Sequence, residues 1–377
     1  MYRLVRPLLF RLDAEAAHGL GARAARLGQA APAAVRALYG FEDARLAQTL
    51  WVDGASSGPD GRPGLHFRNP VGLAAGFDKN GALVRFWDAL GFGFAEAGSV
   101  TARPSAGNPR PRAFRLPADG ALVNRMGLNN DGAPAAAERL GRTPRPRRPF
   151  VLGVNVAKTH DPAILGDDAV EDFRQSVRLV LPRADYLALN VSCPNTAEGK
   201  TFEEPEALDA LLAAVMAERA AQGARAPVLV KLSPPAAGAT DVGAVDELVA
   251  IARARGVEGF VATNTAPDRA GCATDAAVLD AIGRGGLSGR PLAARAEALT
   301  RHLFRATGGA LPVIGVGGVD SPEEAYRRLR AGASLVEVYT GLVYEGPGLV
   351  RRIKRGLVRL LERDGLGSVA EAVGADA

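Results

Sequence analysis

The chain has 377 residues, 47% of them hydrophobic, with 45 Gly and 25 Pro, which is enough apolar matter for one large core or two ordinary ones and implies many turns. A formal charge of +5 and a pI near 9.4 suit an anionic partner such as a membrane surface, a nucleic acid or an acidic small molecule. Two cysteines far apart, Cys193 and Cys272, exclude a disulfide framework and point to a reducing compartment. No run approaches the roughly 20 apolar residues of a membrane span, and no signal-peptide core opens the chain, so it is expected inside the cell, at most lying on a membrane.

Residues 1–45 differ from the rest and read as a separate helical unit. A short apolar stretch studded with Arg runs to Leu12, after which Asp13 offers an N-cap and Glu15 sits in the first turn of a second helix. Ala16, Leu20, Ala24 and Leu27 recur at helical spacing as one apolar face. Six arginines oppose only Asp13 and Glu15 through residue 39, so this amphipathic helical pair fits either an interfacial membrane element or a pair packed on its own protein. The rest, residues 46–377, reads as the main unit, and a turn-rich link, residues 53–64, precedes its regular pattern.

From there apolar runs alternate with helical patterns. Candidate strands are 71–75, 92–97, 150–156, 186–191, 228–232, 259–263, 313–316 and 335–339. Helical stretches 82–90, 168–180, 205–219, 242–255, 291–305 and 322–330 separate most of them. Residues 101–149 read as a longer excursion of loop plus one Ala-rich helix. Eight β/α units in series predict a (β/α)8 barrel, a TIM barrel, carrying the small N-terminal helical unit. The absence of a GxGxxG after the first strand argues against a dinucleotide-binding open sheet.

Catalytic groups of such barrels sit at the C-terminal strand ends. Here those ends carry Asp78-Lys79-Asn80, Ser99, Asn155 with Lys158, Asn190 to Asn195, Lys231 with Ser233, Thr263-Asn264-Thr265, Gly315 to Gly318, and Tyr339-Thr340-Gly341. A structural barrel does not require this ring of amides, hydroxyls and cations. The glycines after the last two strands lie where barrels bind phosphate through backbone N–H groups. Four histidines and no ligand cluster exclude a metal site, and no Ser-His-Asp set is present. The ring suits a planar, hydrogen-bonding, anionic ligand beside a phosphorylated cofactor.

Ala74-Ala-Gly-Phe-Asp-Lys-Asn-Gly81, Asn124-Arg-Met-Gly-Leu-Asn-Asn130, Asn190-Val-Ser-Cys-Pro-Asn195, Ala262-Thr-Asn-Thr265, Gly285-Gly-Leu-Ser-Gly-Arg290 and Gly315-Val-Gly-Gly-Val-Asp320 together resemble dihydroorotate dehydrogenase, in its membrane-associated, quinone-dependent class (class 2), from about residue 2 to 362. The resemblance implies an FMN enzyme of de novo pyrimidine synthesis that oxidises (S)-dihydroorotate to orotate. It places FMN against Ala75, Gly76, Phe77, Asp78, Lys79, Ser99, Asn155, Asn190, Lys231, Thr263, Gly289, Gly318, Tyr339 and Thr340. The substrate falls to Lys79, Asn124, Arg125, Met126, Gly127, Leu128, Asn190, Asn195, Asn264 and Thr265. Cys193 falls at the position of the base that removes the C5 proton. His18, Arg115 and Tyr339 match positions lining the quinone tunnel, and the implied site is the cytoplasmic face of the cell membrane, with no nucleic acid and no obligatory protein partner. For His18 alone, a surface histidine fits as well as a ligand contact.

The chemistry is consistent with these roles. Orotate is a carboxylate with imide groups, so asparagines can meet its donors and acceptors and Lys79 can offset its charge. Lys231 near the flavin's pyrimidine edge would favour negative charge there. One departure stands out: the quinone-dependent class normally has Ser at the base position, the soluble fumarate-using class Cys. A thiol ionises more readily than a hydroxyl and can do the same work, or Cys193 is a small buried hydrophobe. Three alternatives therefore stay open: a cytosolic fumarate-dependent enzyme, favoured by Cys193 and opposed by residues 1–45; an FMN barrel acting on RNA, like a dihydrouridine synthase; and a non-catalytic membrane-associated scaffold.

Overall fold

The eight apolar runs become eight parallel strands, as continuous hydrophobic segments buried on both faces should. In a computed structural model, residues 2–51, 64–144, 150–192, 202–238 and 244–377 are described. The strands are β1 (Val71–Asp78), β2 (Phe94–Val100), β3 (Val151–Val156), β4 (Tyr186–Asn190), β5 (Val228–Leu232), β6 (Gly259–Ala262), β7 (Val313–Val316) and β8 (Leu335–Val338). Each pairs in parallel with the next, and β8 pairs with β1, so the sheet closes as a (β/α)8 barrel. The expected boundaries hold to within three residues. Most of the link 53–64, residues 145–149 at the end of the excursion, Cys193 and Asn195 lie outside the described residues.

The lower barrel interior is filled by bulky side chains. Phe94, Tyr186, Leu229, Val261, Ile314 and Leu335 pack together inside it, and Phe67 joins them. Glycines make room for the two largest rings: a Cβ on Gly72 would lie 2.2 Å from the Phe94 ring, and one on Gly153 2.2 Å from that of Tyr186. An antiparallel ribbon, Gln48–Leu50 with Leu65–Phe67, closes this end. Its Gln48 amide donates to Ser334 O, just before β8, and the adjacent Trp51 indole donates to Glu258 O, just before β6. Among the described residues, the barrel is therefore open only at the C-terminal ends of its strands.

The N-terminal unit has three helices where the sequence reads as a pair: α1 (Tyr2–Leu9), α2 (Ala14–Ala30) and α3 (Pro32–Tyr39). Pro32 starts the third, because proline suits a first helical turn but not a helix interior. Asp13 caps α2 as expected, accepting from Glu15 N at 2.9 Å and Ala16 N at 3.0 Å. The face of Ala16, Leu20, Ala24 and Leu27 points outward; Ala25 is the buried residue of α2. Among the described residues, no helix is long and apolar enough to cross a membrane.

The excursion 101–149 is more ordered than a loop with one helix. Strands Ala113–Leu116 and Ala121–Asn124 form a hairpin, and Gly286–Gly289 adds to it as a third antiparallel strand. The expected Ala-rich helix is present as Ala133–Arg142.

On the outer layer, helix Leu349–Arg363 buries Lys354, whose amine donates to Gly91 O at 2.7 Å. Burial pushes its pKa down to about 7, helped by the Arg68 charge and opposed by Glu42 and Asp88. The folded state therefore binds fewer protons than the unfolded chain between about pH 7 and the ordinary lysine value. Stability should rise with pH across that window, and Lys354→Met should flatten the rise. Thermal melts of both proteins at pH 7, 8 and 9 check this; parallel curves would refute it.

Candidate active site

The open end of the barrel holds a cleft of about 1050 Å3, counting its mouth. Its far end is backbone. Gly317 and Gly318 follow β7 with φ of +118° and +79°, which favours glycine and leaves the peptide groups uncovered. Arg328 braces this turn from behind, donating to Gly317 O at 2.9 Å and Ala293 O at 3.0 Å; burial pushes its pKa down to about 10. Gly289, Thr340 and Gly341 complete that end, with Ser288 Oγ and Thr340 Oγ1 2.8 Å apart.

The middle wall is a chain of polar groups across the strand ends. Ser99 donates to Asn155 Oδ1 at 2.5 Å, Asn190 Nδ2 to Ser99 Oγ at 3.1 Å, and Asn264 Nδ2 to Asn190 Oδ1 at 3.0 Å. Asn264 also donates to Ser192 Oγ at 3.0 Å, and Ser192 in turn donates to Lys231 O at 2.9 Å. Each amide is thereby held in one orientation, with its remaining capacity toward the cleft. Thr263 and Thr265 continue the wall, and Lys231, 6% exposed, rises from β5 inside it.

Two cations face one ligand space, Lys231 and Lys79. Desolvation pushes Lys79 down to about 8; Arg112 adds to this and Glu15 opposes it. Glu15 is tied to Arg112 at 2.7 Å and Arg110 at 3.0 Å, which holds its own pKa below the ordinary value. The first turn of α2 thus connects electrostatically to the cleft. The outer wall comes from the excursion: Asn124, Met126 and Leu128 line the cleft, Asn124 donating to Gly286 O at 3.4 Å.

Most residues assigned from the sequence converge here: Ala75, Gly76, Lys79, Ser99, Asn124, Met126, Leu128, Asn190, Lys231, Thr263, Asn264, Thr265, Gly289, Gly318, Tyr339 and Thr340 all line the cleft. Several neighbours in the same motifs do not. Asp78 accepts from Ala82 N and Leu83 N, both at 2.8 Å, and from the Trp87 indole at 3.0 Å, so it locks the turn after β1. Asn155 sits one layer behind Ser99. Arg125 lies 4.6 Å over the Phe114 ring and donates to Pro111 O, Ile282 O and Arg284 O. Gly127 shapes the turn, where a Cβ would come within 2.6 Å of Asn108 N.

The tunnel set divides in the same way. His18 meets Phe77 edge-on at 5.0 Å, and Phe77 meets Tyr339 at 5.2 Å, so one aromatic path runs from α2 to the cleft. Burial pushes His18 down to about 4, with Lys79 adding, so it is neutral at pH 7. Arg115 instead fastens the end of α1: it lies 4.8 Å over the Phe10 ring and donates to the carbonyls of Leu9, Phe10 and Leu12.

Sequence reasoning missed Glu337, which lines the cleft from inside β8, and the fully buried Glu96 of β2. The available signal was a lone acid inside an apolar run, at Leu335-Val-Glu-Val338 and at Phe94-Ala-Glu-Ala97. Among the described residues no group of His, Cys, Asp and Glu could hold a metal ion.

A family model described as dihydroorotate dehydrogenase matches residues 61–361. The chain is similar to "Dihydroorotate dehydrogenase (quinone)" of Roseiflexus sp. (strain RS-1), 46% identical over 380 residues that cover 99% of this chain and 98% of that one. The protein of the same description from Deinococcus deserti is 47% identical over 388 residues, covering all of both. Among solved structures, ligand-free DHODH of Eimeria tenella matches with a TM-score of 0.76 and 34% identity, over 93% of this chain and 98% of that one. The same enzyme in complex with ferulenol gives 0.76 and 34% over 87% and 91%.

Proposed function

The chain belongs to the dihydroorotate dehydrogenase family, and on that premise we propose that it oxidises (S)-dihydroorotate to orotate and passes the electrons through FMN to a quinone, in de novo pyrimidine synthesis. The observation that carries this reading is the single cleft that joins a bare glycine end to a wall of oriented amides and two lysines. An elongated cofactor with a phosphate at one end and a planar ring at the other fits that donor set. Bound there, a flavin would supply two-electron acceptor chemistry between the substrate and the quinone.

The chain's own residues bind and orient. Peptide groups at Gly317 and Gly318, with the Thr340 hydroxyl, would hold the phosphate. Lys231, Asn190 and Ser99 would hold the ring. Lys79 would meet the substrate carboxylate, while Asn124, Asn190 and Asn264 meet its imide groups. Cys193, as thiolate, would take the proton from C5.

Residues 1–45 would form the quinone's entry at the cytoplasmic face of the cell membrane. Leu4, Val5, Leu8, Leu12, Leu20, Leu27 and Leu38 are exposed there, beside the exposed Arg11, Arg23 and Arg26. Apolar side chains standing out from a basic helical unit are what an interfacial element presents to anionic lipid. The aromatic path from His18 through Phe77 to Tyr339 supports electron entry or exit on this side.

The residue type at Cys193 favours fumarate as a second reading of the acceptor. Anaerobic stopped-flow absorbance separates the two. Dihydroorotate should bleach the yellow protein, and a short-chain quinone, not fumarate, should restore the colour. Recolouring by fumarate alone would transfer the enzyme to the other class, and no bleaching would remove dihydroorotate as substrate.

A further inference from the structure

The upper interior of the barrel sets two carboxyls against one ammonium. Glu96 of β2, Glu337 of β8 and Lys231 of β5 are 0%, 1% and 6% exposed. Charge in so dry a space must be balanced, and one ammonium balances one carboxylate. One of the two acids therefore carries a proton, by the logic that keeps close carboxylates from ionising together.

Hydrogen bonds decide which. Glu96 accepts from Tyr186 Oη at 3.2 Å and from Asn155 Nδ2 at 3.3 Å, and donors of this kind favour its ionised form. Neither oxygen of Glu337 has a hydrogen-bond partner among the described residues, although its side chain lines the cleft. A buried polar group left without a partner is costly unless something else meets it. We infer that Glu337 is a neutral acid at pH 7 and donates its hydroxyl hydrogen to an acceptor atom of the flavin ring system, as a further cofactor-contacting residue. Burial raises both acids, Lys231 opposes the rise in each, and the charge of Glu96 raises Glu337 further. The inference rests on the flavin reading above.

Two substitutions separate donor from charge. Glu337→Gln keeps a donor of the same shape, whereas Glu337→Met keeps the length and removes it. In holoprotein, the infrared carbonyl band of this neutral carboxyl should disappear in Glu337→Gln, where Glu96 still balances Lys231. Glu337→Gln should retain flavin within about twofold of the native affinity, and Glu337→Met should lose about tenfold. The reduction potential of the bound flavin should stay put in Glu337→Gln, since no charge is removed. A Glu337→Gln protein that keeps the neutral-carboxyl band, or that releases flavin as readily as Glu337→Met, would overturn the inference. So would a Glu337→Met protein with native flavin affinity. Native protein that holds no flavin would overturn the flavin reading and this inference together, an outcome distinct from the others because it needs no variant.

Discussion

Replacing Cys193 with alanine is expected to slow reduction of the bound flavin by dihydroorotate about 10²–10⁴-fold, the share of rate that a positioned base supplies. The proton at C5 then has no acceptor, while nothing in electron delivery to the quinone uses that base. Reoxidation of the reduced protein by quinone should therefore run at its native rate. Cys193→Ser should retain part of the reductive rate, because a hydroxyl can stand in the same place with a weaker tendency to ionise. The pH profile tells the two apart: with a thiol, whose ordinary pKa is roughly 8.5, the rate should climb and level off near that value. With serine it should keep climbing. Both half-reactions are read separately by stopped-flow absorbance, and a native reductive rate in Cys193→Ala would remove Cys193 from the chemistry.

Lys79→Met should weaken dihydroorotate by about 10²–10³-fold, because it leaves a buried carboxylate without its counter-ion. The pH dependence has a definite sign. In the free protein Lys79 is pushed down to about 8, so its ammonium is lost as pH rises through that value. A carboxylate ligand binds the charged form. Apparent affinity should then be flat below about pH 8 and fall toward tenfold per unit above it. Equilibrium titrations of orotate against flavin absorbance, from pH 6.5 to 9.5, measure this directly. In Lys79→Met the fall should vanish; if it stays, another group is responsible.

The strands and their polar ends were legible because a parallel barrel writes itself as short apolar runs, each ending in whatever its mouth requires. Side-chain direction was not so legible. Phe77 and Asp78 belong to the same motif as Lys79, yet Phe77 turns to α2 and Asp78 to its own turn. Adjacency in a motif cannot specify direction at the end of a strand. Glu337 escaped notice for a related reason: a charge in an apolar run reads as a solvent-facing residue, and only closure of the barrel turns that face inward. The hairpin of Ala113–Leu116 and Ala121–Asn124 is completed by Gly286–Gly289, a pairing some 160 residues distant by the registers of Asn124 with Gly286. No local pattern carries such a partner. The outward face of α2 shows the limit from the other side, since periodicity marks an apolar face without saying what covers it.

The two tryptophans stand in different layers of the molecule, Trp51 at the floor and Trp87 on the helix Val84–Leu90 outside the barrel. Trp51 donates to Glu258 O at 2.7 Å and lies against Tyr186 and Phe67 beneath the floor. Trp87 is held by Asp78 and meets Phe92 and Phe77, the ring that touches His18 of α2, while a third ring neighbour, Phe86, packs near Gly28 of the same helix. The chain thus carries two intrinsic fluorophores with separate assignments. A Trp51→Phe protein emits only from Trp87, beside the N-terminal helices, and a Trp87→Phe protein only from Trp51 at the floor, so seating of the N-terminal helices and melting of the barrel have different optical signatures.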